Sequence, residues 1–232
     1  MSLNHIAFLP DGNRRWAKMN NLPVHEGHER GLLIVIPKMV ESSFKKGIHT
    51  VTIFPFSTEN WSRSKEEVGV LMEINSRMLD ELSAIAKNNS ARIMHLGRRD
   101  RLPKFLIKQL SELETASKKS RKHVLNVALD YGGIDEISRA VTSLYEETRG
   151  EPERFTKLLE KGLNPWLDTA GQPHPTPDFI IRTAERRLSG FMVYQATYSE
   201  LFFSPLLWPD FTNRALEEAL EDFSKRQRTY GY

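Results

Sequence analysis

The segment HIAFLPDGNRRWA at residues 5–17 contains a strand, a turn and the start of a helix, and it decides the predicted fold. The apolar run Ile6–Leu9 has the length and composition of a buried strand. Pro10 ends this strand because proline cannot donate a ladder hydrogen bond. The residues Asp11–Asn13 are of the types that favour a turn, and a helical pattern begins at Arg14. The sequence therefore predicts a strand that passes through a polar turn directly into a helix.

The polar turn combines a carboxylate, a glycine and two guanidinium groups: Asp11, Gly12, Arg14 and Arg15. Such a set can hold a diphosphate together with its magnesium ion. The alternative is an ordinary strand–turn–helix connection with solvated arginines, because short motifs often match by chance. His28, at the entrance to a second helical pattern, is a further candidate for contact with an anion, although a lone histidine is more often structural. The turn by itself leaves both interpretations open.

Length and composition favour one domain over residues 1–232 and exclude several classes of protein. No Gly/Ser tract or repeat marks a linker, and 39% hydrophobic residues suffice for a core. The absence of cysteine excludes disulfide frameworks, zinc–thiolate sites and thiol nucleophiles. The net charge of +3 does not argue for nucleic acid. No apolar run approaches a membrane span and no signal peptide is recognisable, so a cytoplasmic location is expected.

The rest of the chain alternates predicted strands with predicted helices, which indicates an α/β fold with a mainly parallel sheet surrounded by helices. The further predicted strands are His49–Phe54, Arg92–Gly97, Val124–Leu129, Asp178–Arg182 and Leu201–Phe203. The further predicted helices are Leu32–Phe44, Glu66–Asn88, Pro103–Lys119, Asp135–Glu147 and Asn213–Phe223. Pro37 should kink the first of these helices or move its start. Ligands bind beyond the carboxyl ends of such strands, so the turns that follow the strands are the expected site.

The loop after the second predicted strand carries two aromatic side chains among polar ones. Phe56 and Trp61 are suited to shielding a reactive apolar substrate, and Ser57, Asn60 and Arg63 offer hydrogen-bonding groups. The alternative is that the two aromatic rings pack into the core. The sequence does not choose between these interpretations.

A second candidate site for an anion follows the strand Asp178–Arg182. Three arginines, a threonine and a serine lie within residues 182–189, and arginine suits bidentate contact with phosphate oxygens. The alternative is a surface turn whose charge is balanced by Glu185.

Several segments of the chain together match one known family. They are HIAFLPDGNRRWA, GHERG, FSTENWSRSKEEV, ALDYGGIDEI, PDFIIRTAERRLSGF, YSELFFSPLLWPDF and RQRTYGY. On these segments the chain resembles the cis-prenyltransferases, the family of undecaprenyl diphosphate synthase, over nearly its whole length. The resemblance implies a homodimer, a parallel sheet ringed by helices, and an apolar tunnel between two helices for the growing prenyl chain. It also implies an enzyme that condenses isopentenyl diphosphate with an allylic prenyl diphosphate with the help of Mg²⁺.

The resemblance implies a role for each matching residue. The catalytic residues would be Asp11, Asn60 and His28, and the magnesium ligands Asp11 and Glu200. The allylic diphosphate would contact Gly12, Asn13, Arg14, Arg15 and Trp16. The mobile catalytic loop would use Phe56, Ser57, Trp61 and Arg63, with Glu67 at its far end. Isopentenyl diphosphate would contact Arg182, Arg187 and Ser189, and Arg228 would complete the site of the partner subunit.

The implied chemistry begins when magnesium and guanidinium groups stabilise the departing diphosphate of the allylic substrate. The C4 carbon of isopentenyl diphosphate then attacks the allylic cation, and loss of a proton leaves a new Z double bond. The proton acceptor stays open between Asn60, His28 and the released diphosphate.

The chain departs from the family pattern at a few positions: Val24, Pro55, Ser64, His123, Asp130, Ile134 and Ala184, where a turn is one residue shorter. Pro55 and His123 predict a reshaped tunnel and a short or medium-length product that can associate with membranes. Ala184 and Ile134 motivate an alternative, a prenyltransferase of the same fold with a non-standard acceptor. Such an enzyme would couple two allylic units irregularly or prenylate another small molecule. A non-catalytic accessory chain is disfavoured because Asp11, Asn60, Trp61 and Glu200 are retained. A nucleic-acid-binding protein is disfavoured because the arginines lie at strand ends with turn residues and form no stripe.

Overall fold

The computed structural model describes residues 2–149 and 151–227, and a six-stranded parallel sheet lies at its centre. The strands are β1 (His5–Leu9), β2 (Thr50–Ser57), β3 (Ala91–Leu96), β4 (His123–Tyr131), β5 (Phe179–Thr183) and β6 (Glu200–Ser204). Their order is β3-β4-β2-β1-β5-β6, and every neighbouring pair is parallel. The predicted fold, a mainly parallel sheet within one domain, is confirmed.

Helices surround this sheet. They are α1 (Asn13–Met19), α2 (Val24–Glu29), α3 (Ile36–Lys45), α4 (Lys65–Asn88), α5 (Lys104–Ser117), α6 (Gly133–Glu147), α7 (Pro152–Leu159) and α8 (Asn213–Ser224). The long helix α4 begins where Ser64 accepts a hydrogen bond from the backbone N–H of Glu67, at 3.2 Å. This N-cap satisfies a donor that the first turn leaves unpaired. Ser64 therefore has a structural reason to stand at this position.

The predicted helix over residues 32–44 is divided in the structure. A π-helical segment, Arg30–Val35, joins α2 to α3, and α3 starts at Ile36. Pro37 falls in the first turn of α3, and the backbone stays right-handed helical from the π-helical segment through Val35 and Ile36. The expected effect of Pro37 thus takes the form of a wider π-helical turn before it, and the helix continues through the proline.

Strand β2 is longer than predicted and includes residues that the sequence placed in a loop. It continues through Pro55 and Phe56 to Ser57. Its register with β4 shifts between Ile53 and Phe56, which marks a bulge. A proline in a central strand requires such a bulge because it cannot donate to the ladder. The strand pattern alone did not show that pairing resumes after the proline.

Packed side chains fill the space between the sheet and the helices α3 and α4. Ile36, Met39, Met78 and Leu82 are each 0% exposed, so no open channel reaches them. His123, at the far end of this layer, stacks on the ring of Phe44 at 4.5 Å. The layer where the resemblance implies an apolar tunnel therefore contains fully enclosed side chains in this structure.

The buried His5 at the start of β1 predicts a loss of stability in acid. Its Nε2 pairs with Thr52 Oγ1 at 2.7 Å, and burial lowers the pKa of His5 from 6.5 to about 4. Between pH 6.5 and 4 the His5 side chain binds a proton in the unfolded chain but not in the folded chain, so the free energy of unfolding falls as the pH is lowered. We expect His5 to contribute about 2–3 kcal/mol to the decrease in unfolding free energy between pH 7.5 and 4.5. Urea denaturation at both pH values checks this, and in His5→Gln the decrease should be smaller by that amount.

Candidate active site

A cavity of about 780 Å³ lies at the carboxyl ends of β1, β2 and β5. The turns that follow these strands form its walls, as the parallel arrangement requires. Five guanidinium groups and three carboxylates line it: Arg14, Arg15, Arg63, Arg182 and Arg187, with Asp11, Glu59 and Glu185. The excess of positive charge favours an anionic ligand.

Asp11 is fixed in this cavity by contacts on both its backbone and its side chain. Its N–H donates to Thr183 Oγ1, and the Thr183 hydroxyl donates back to the Asp11 carbonyl, both at 2.9 Å. Its Oδ1 accepts from the Gly12 N–H at 2.6 Å, and its Oδ2 accepts from Arg182 Nη2 at 2.7 Å. A carboxylate has about four lone-pair sites, so Asp11 retains capacity for a further ligand.

Two glycines allow the turn after β1 to lie close to its neighbours. Gly12 has a φ of 102°, and a Cβ there would come within 2.7 Å of the Leu207 side chain. A Cβ on Gly31 would approach Asn13 Oδ1 to 2.3 Å. Any larger residue at either position would therefore displace the turn that carries Asp11.

Arg182 is a buried cation with unused hydrogen-bond donors. Its side chain is 3% exposed, and its Nε and Nη1 have no partner among the residues that the structure describes. Burial lowers the pKa of Arg182, with the Arg187 charge acting in the same direction and Asp11 opposing it. Because unpaired buried donors are unfavourable, this guanidinium is well suited to meet an anion in the cavity.

Glu185 was not predicted as a site residue, yet its carboxylate lies between two cavity arginines. Arg15 Nη2 is 3.0 Å from Oε1, and Arg187 Nη1 donates to Oε2 at 2.7 Å. Glu185 therefore balances the charge of neighbouring arginines, as the alternative interpretation of this turn expected. Its position between arginines in the sequence was the available signal.

His28 lines the same cavity from α2. It is 7% exposed, and its Nε2 has no hydrogen-bond partner among the described residues. Burial lowers the pKa of His28 to about 4, and the Arg63 and Arg14 charges add to this effect. The imidazole is therefore neutral near pH 7 and has a free nitrogen beside the cavity.

The segment 57–63 places polar groups on the cavity and aromatic groups away from it. Ser57 N donates to Asn60 Oδ1 at 3.0 Å, and Arg63 Nη1 donates to Glu67 Oε1 at 3.0 Å. Ser57, Asn60 and Arg63 line the cavity. Phe56 is 1% exposed and packs edge-to-face on Trp61 at 5.3 Å. The aromatic pair thus packs into the core in this structure, which was one of the two sequence interpretations.

The structure does not bring Glu200 to Asp11 within one chain, so the expectation that both residues hold magnesium stays a prediction. Glu200 begins β6 level with Phe179, at the opposite end of the strands from the cavity, and accepts from Arg226 Nη1 at 2.8 Å. About 10 Å of strand separates it from the level of Arg182. The reason is that Glu200 is the first residue of its strand, whereas Asp11 follows β1 and Arg182 lies near the end of β5.

The remaining predicted site residues fall into three places. Ser189 lines the main cavity. Trp16 lies outside the cavity wall, with its Nε1 donating to Asp210 at 2.8 Å and Arg30 over its ring at 5.2 Å. Arg228 lies outside the described residues, so its predicted role across a subunit interface stays a prediction.

A smaller cavity of about 250 Å³ adjoins the main one between α2 and α4. It shares His28 and Leu71 with the main cavity, and Val24 and Val70 give it an apolar wall. Glu67, expected at the far end of the catalytic loop, also lines it. A small, mostly apolar pocket therefore lies beside the anion-binding cavity.

The shortened turn after β5 contains a strained residue, which gives a prediction. Ala184 has a φ of 66°, a conformation that costs a residue with a Cβ about 1–2 kcal/mol. We expect Ala184→Gly to raise the free energy of unfolding by about 0.5–1 kcal/mol, because part of the gain is offset by unfolded-state entropy. Equilibrium urea denaturation measures this change, and an unchanged or reduced stability would contradict it.

The sequence model described as "Putative undecaprenyl diphosphate synthase" matches residues 9–231 of this chain. The chain belongs to this family of prenyltransferases. An isoprenyl transferase of Aquifex aeolicus is 41% identical to this cis-prenyltransferase over 228 residues, which cover 98% of this chain and 95% of the relative. The recognised family and the prenyltransferase enzyme class are thus confirmed. The part of the chain that the structure describes has no helix long and apolar enough to cross a membrane.

Two solved structures resemble this prenyltransferase in fold. A lavandulyl diphosphate synthase from Lavandula x intermedia, solved with dimethylallyl diphosphate, superposes with a TM-score of 0.91 at 31% identity and covers 99% of this chain and 98% of its own. A probable undecaprenyl diphosphate synthase from Campylobacter jejuni gives a TM-score of 0.77 at 28% identity, with both chains fully covered. The sheet and helices described above are therefore those of cis-prenyltransferases.

Proposed function

We propose that this cis-prenyltransferase condenses isopentenyl diphosphate with an allylic prenyl diphosphate and releases a short or medium-length product with a Z double bond. The observation that carries the proposal is the distribution of cations around Asp11. Arg14 and Arg15 approach the cavity from α1, and Arg182 and Arg187 approach it from the end of β5. Two sets of arginines around one carboxylate are suited to two diphosphates held side by side.

The donor set fits a magnesium ion that is bound together with a substrate. Asp11 presents one carboxylate with free lone pairs, and the described residues contain no group of three or more metal-binding side chains. Mg²⁺ is usually bound through one or two carboxylates together with waters and substrate phosphates. Asp11 would hold the ion. When bound, the ion would neutralise negative charge on a departing diphosphate.

The other residues of the cavity would bind the two diphosphates and accept the proton. Arg14 and Arg15 bind the allylic diphosphate, and Arg182 and Arg187 bind that of the acceptor. His28 is neutral and has a free Nε2, so it is suited to accept the proton that the condensed product loses. Asn60 is less suited, because its Oδ1 already accepts from Ser57 N.

The packing of the apolar layer supports a short product. The side chains between the sheet and α3 and α4 leave no open channel, and the adjoining apolar pocket measures about 250 Å³. A long polyprenyl chain would require these side chains to move apart, at the expense of packing.

We also propose that the enzyme is a homodimer. Strand β6 is an edge strand of the sheet, so one side of its backbone is available to a second chain. Within one chain Glu200 lies away from the cavity. A second chain could bring its own Glu200 and Arg228 towards the site. Light scattering coupled to size exclusion gives the mass in solution, and a monomer at micromolar concentration would contradict this proposal.

Incorporation of labelled isopentenyl diphosphate tests the function. The enzyme is incubated with dimethylallyl, geranyl or farnesyl diphosphate in the presence of Mg²⁺, and with EDTA in a parallel reaction. We expect label in extractable lipid only with Mg²⁺ and an allylic primer. No incorporation with any of the three primers would overturn the proposal.

A second candidate function is irregular coupling of two allylic diphosphates. Two observations favour it: the TM-score of 0.91 to a lavandulyl diphosphate synthase and the shortened turn at Ala184 beside the acceptor arginines. Retention of Arg182 and Arg187 in the cavity favours isopentenyl diphosphate instead. Formation of product from dimethylallyl diphosphate alone would support irregular coupling.

A further inference from the structure

An ion pair with a buried carboxylate lies behind the segment that carries Ser57, Asn60 and Arg63. Asp130, near the carboxyl end of β4, is 0% exposed. Its two oxygens accept from Arg101, with Oδ2 at 2.9 Å from Nε and Oδ1 at 2.5 Å from Nη2. Such a two-point contact between a guanidinium and a carboxylate is strong and fixes the geometry of both groups.

The same carboxylate also holds Trp61. Its Oδ1 accepts from Trp61 Nε1 at 2.8 Å, and the Arg101 guanidinium lies 5.9 Å from the centre of the Trp61 ring. Trp61 in turn packs on Phe56, the last buried aromatic residue of β2. The indole is therefore held on one side by the core and on the other by the ion pair.

The end of β4 also contacts the other side of this segment directly. A Cβ on Gly132 would come within 2.5 Å of Thr58 Oγ1, so the Thr58 side chain lies directly against the Gly132 backbone. Thr58 and Trp61 both belong to the turn Thr58–Ser62, which lies between Ser57 and Arg63. A shift of the segment 130–132 would thus move residues at both ends of this turn.

We propose that Arg101 is a positioning residue for prenyl transfer. By neutralising Asp130 it fixes Trp61, and through Trp61 it holds Ser57, Asn60 and Arg63 at the wall of the cavity. Arg101 does not line this cavity; it lies in a neighbouring groove of about 550 Å³ that Trp61 and Phe105 also line. The inference rests on the proposed function of the cavity for its effect on catalysis, but its effect on Trp61 is independent of any substrate.

The two partners of the ion pair should respond differently to substitution. Arg101→Leu leaves a buried carboxylate without a compensating charge, which is strongly unfavourable. Asp130→Asn keeps an oxygen for Trp61 Nε1 and leaves the Arg101 side chain, which is 40% exposed, to be solvated. The double variant Arg101→Leu/Asp130→Asn has neither charge and keeps the acceptor for Trp61. The double variant should therefore have a higher kcat/KM, and a more native environment of Trp61, than Arg101→Leu alone.

The activity test compares kcat and KM of these three variants with those of the wild type. We expect Arg101→Leu to lower kcat/KM roughly 100-fold, and the double variant to recover most of that loss. The matched control is Arg99→Leu, because Arg99 is on the same loop, has similar exposure and pairs with Glu114 at 2.5 Å instead of with Asp130. This control should stay close to wild-type activity.

The structural test uses the fluorescence of Trp61, isolated by subtracting the spectrum of Trp61→Phe from that of each protein in the absence of substrate. Arg101→Leu should shift the Trp61 emission to the red and increase its quenching by acrylamide, whereas the double variant and Arg99→Leu should resemble the wild type. The inference is overturned if Arg101→Leu leaves the Trp61 signal unchanged, or if the double variant is no better than Arg101→Leu. A wild-type enzyme without transferase activity would contradict the proposed function and would leave this fluorescence test intact.

Discussion

Asp11→Asn should lower kcat about 1,000-fold or more without unfolding the protein. The amide has the same shape and can still accept from Arg182 Nη2, so the turn after β1 should persist. It lacks the negative charge that would hold Mg²⁺ against the departing diphosphate. Loss of metal-assisted charge stabilisation of several kcal/mol corresponds to a rate effect of this size.

Steady-state kinetics and circular dichroism of the same preparations check this prediction. The matched control is Asp100→Asn, because Asp100 pairs with Arg98 on the β3–α5 loop and does not line the cavity. Its kcat should stay close to that of the wild type. An Asp11→Asn enzyme with more than a tenth of the wild-type kcat would contradict the role given to Asp11.

Arg182→Gln should lower kcat/KM for isopentenyl diphosphate at least roughly 100-fold. Two buried donors of Arg182, Nε and Nη1, have no partner among the described residues and are available to a diphosphate. Hydrogen bonds from a charged donor contribute about 1.5–3 kcal/mol each, and the substitution removes two of them. The KM of the allylic substrate should change much less, since Arg14 and Arg15 are retained.

Separate KM values for the two substrates provide the measurement. Arg186→Gln is the matched control, because Arg186 lies on the same turn, is exposed and does not line the cavity. This variant should bind both substrates as the wild type does. If Arg182→Gln raised the KM of the allylic substrate as much as that of isopentenyl diphosphate, the assignment of Arg182 to the acceptor would be wrong.

The sequence predicted the placement of the site because its signal is local. Pro10 and Gly12 mark the end of β1 and the turn after it, and a run of charged and polar residues follows β5, which ends at Thr183. Once the strands are parallel, their carboxyl ends share one edge of the sheet, so Asp11 and Arg182 come together without further information. Their contact at 2.7 Å follows from topology.

Features that depend on tertiary contacts could not be derived in this way. The continuation of β2 past Pro55 depends on pairing with β4, which has no local signal. The ion pair of Asp130 and Arg101 joins residues 29 positions apart.

The central claim is that the cavity holds an allylic and an isopentenyl diphosphate at the same time. Mass spectrometry of the products formed from geranyl diphosphate, with and without isopentenyl diphosphate, tests it most directly. The account predicts products longer by whole five-carbon units, with a Z double bond, only when both substrates and Mg²⁺ are present. Products that form from allylic diphosphates alone, and are unaffected by isopentenyl diphosphate, would contradict it.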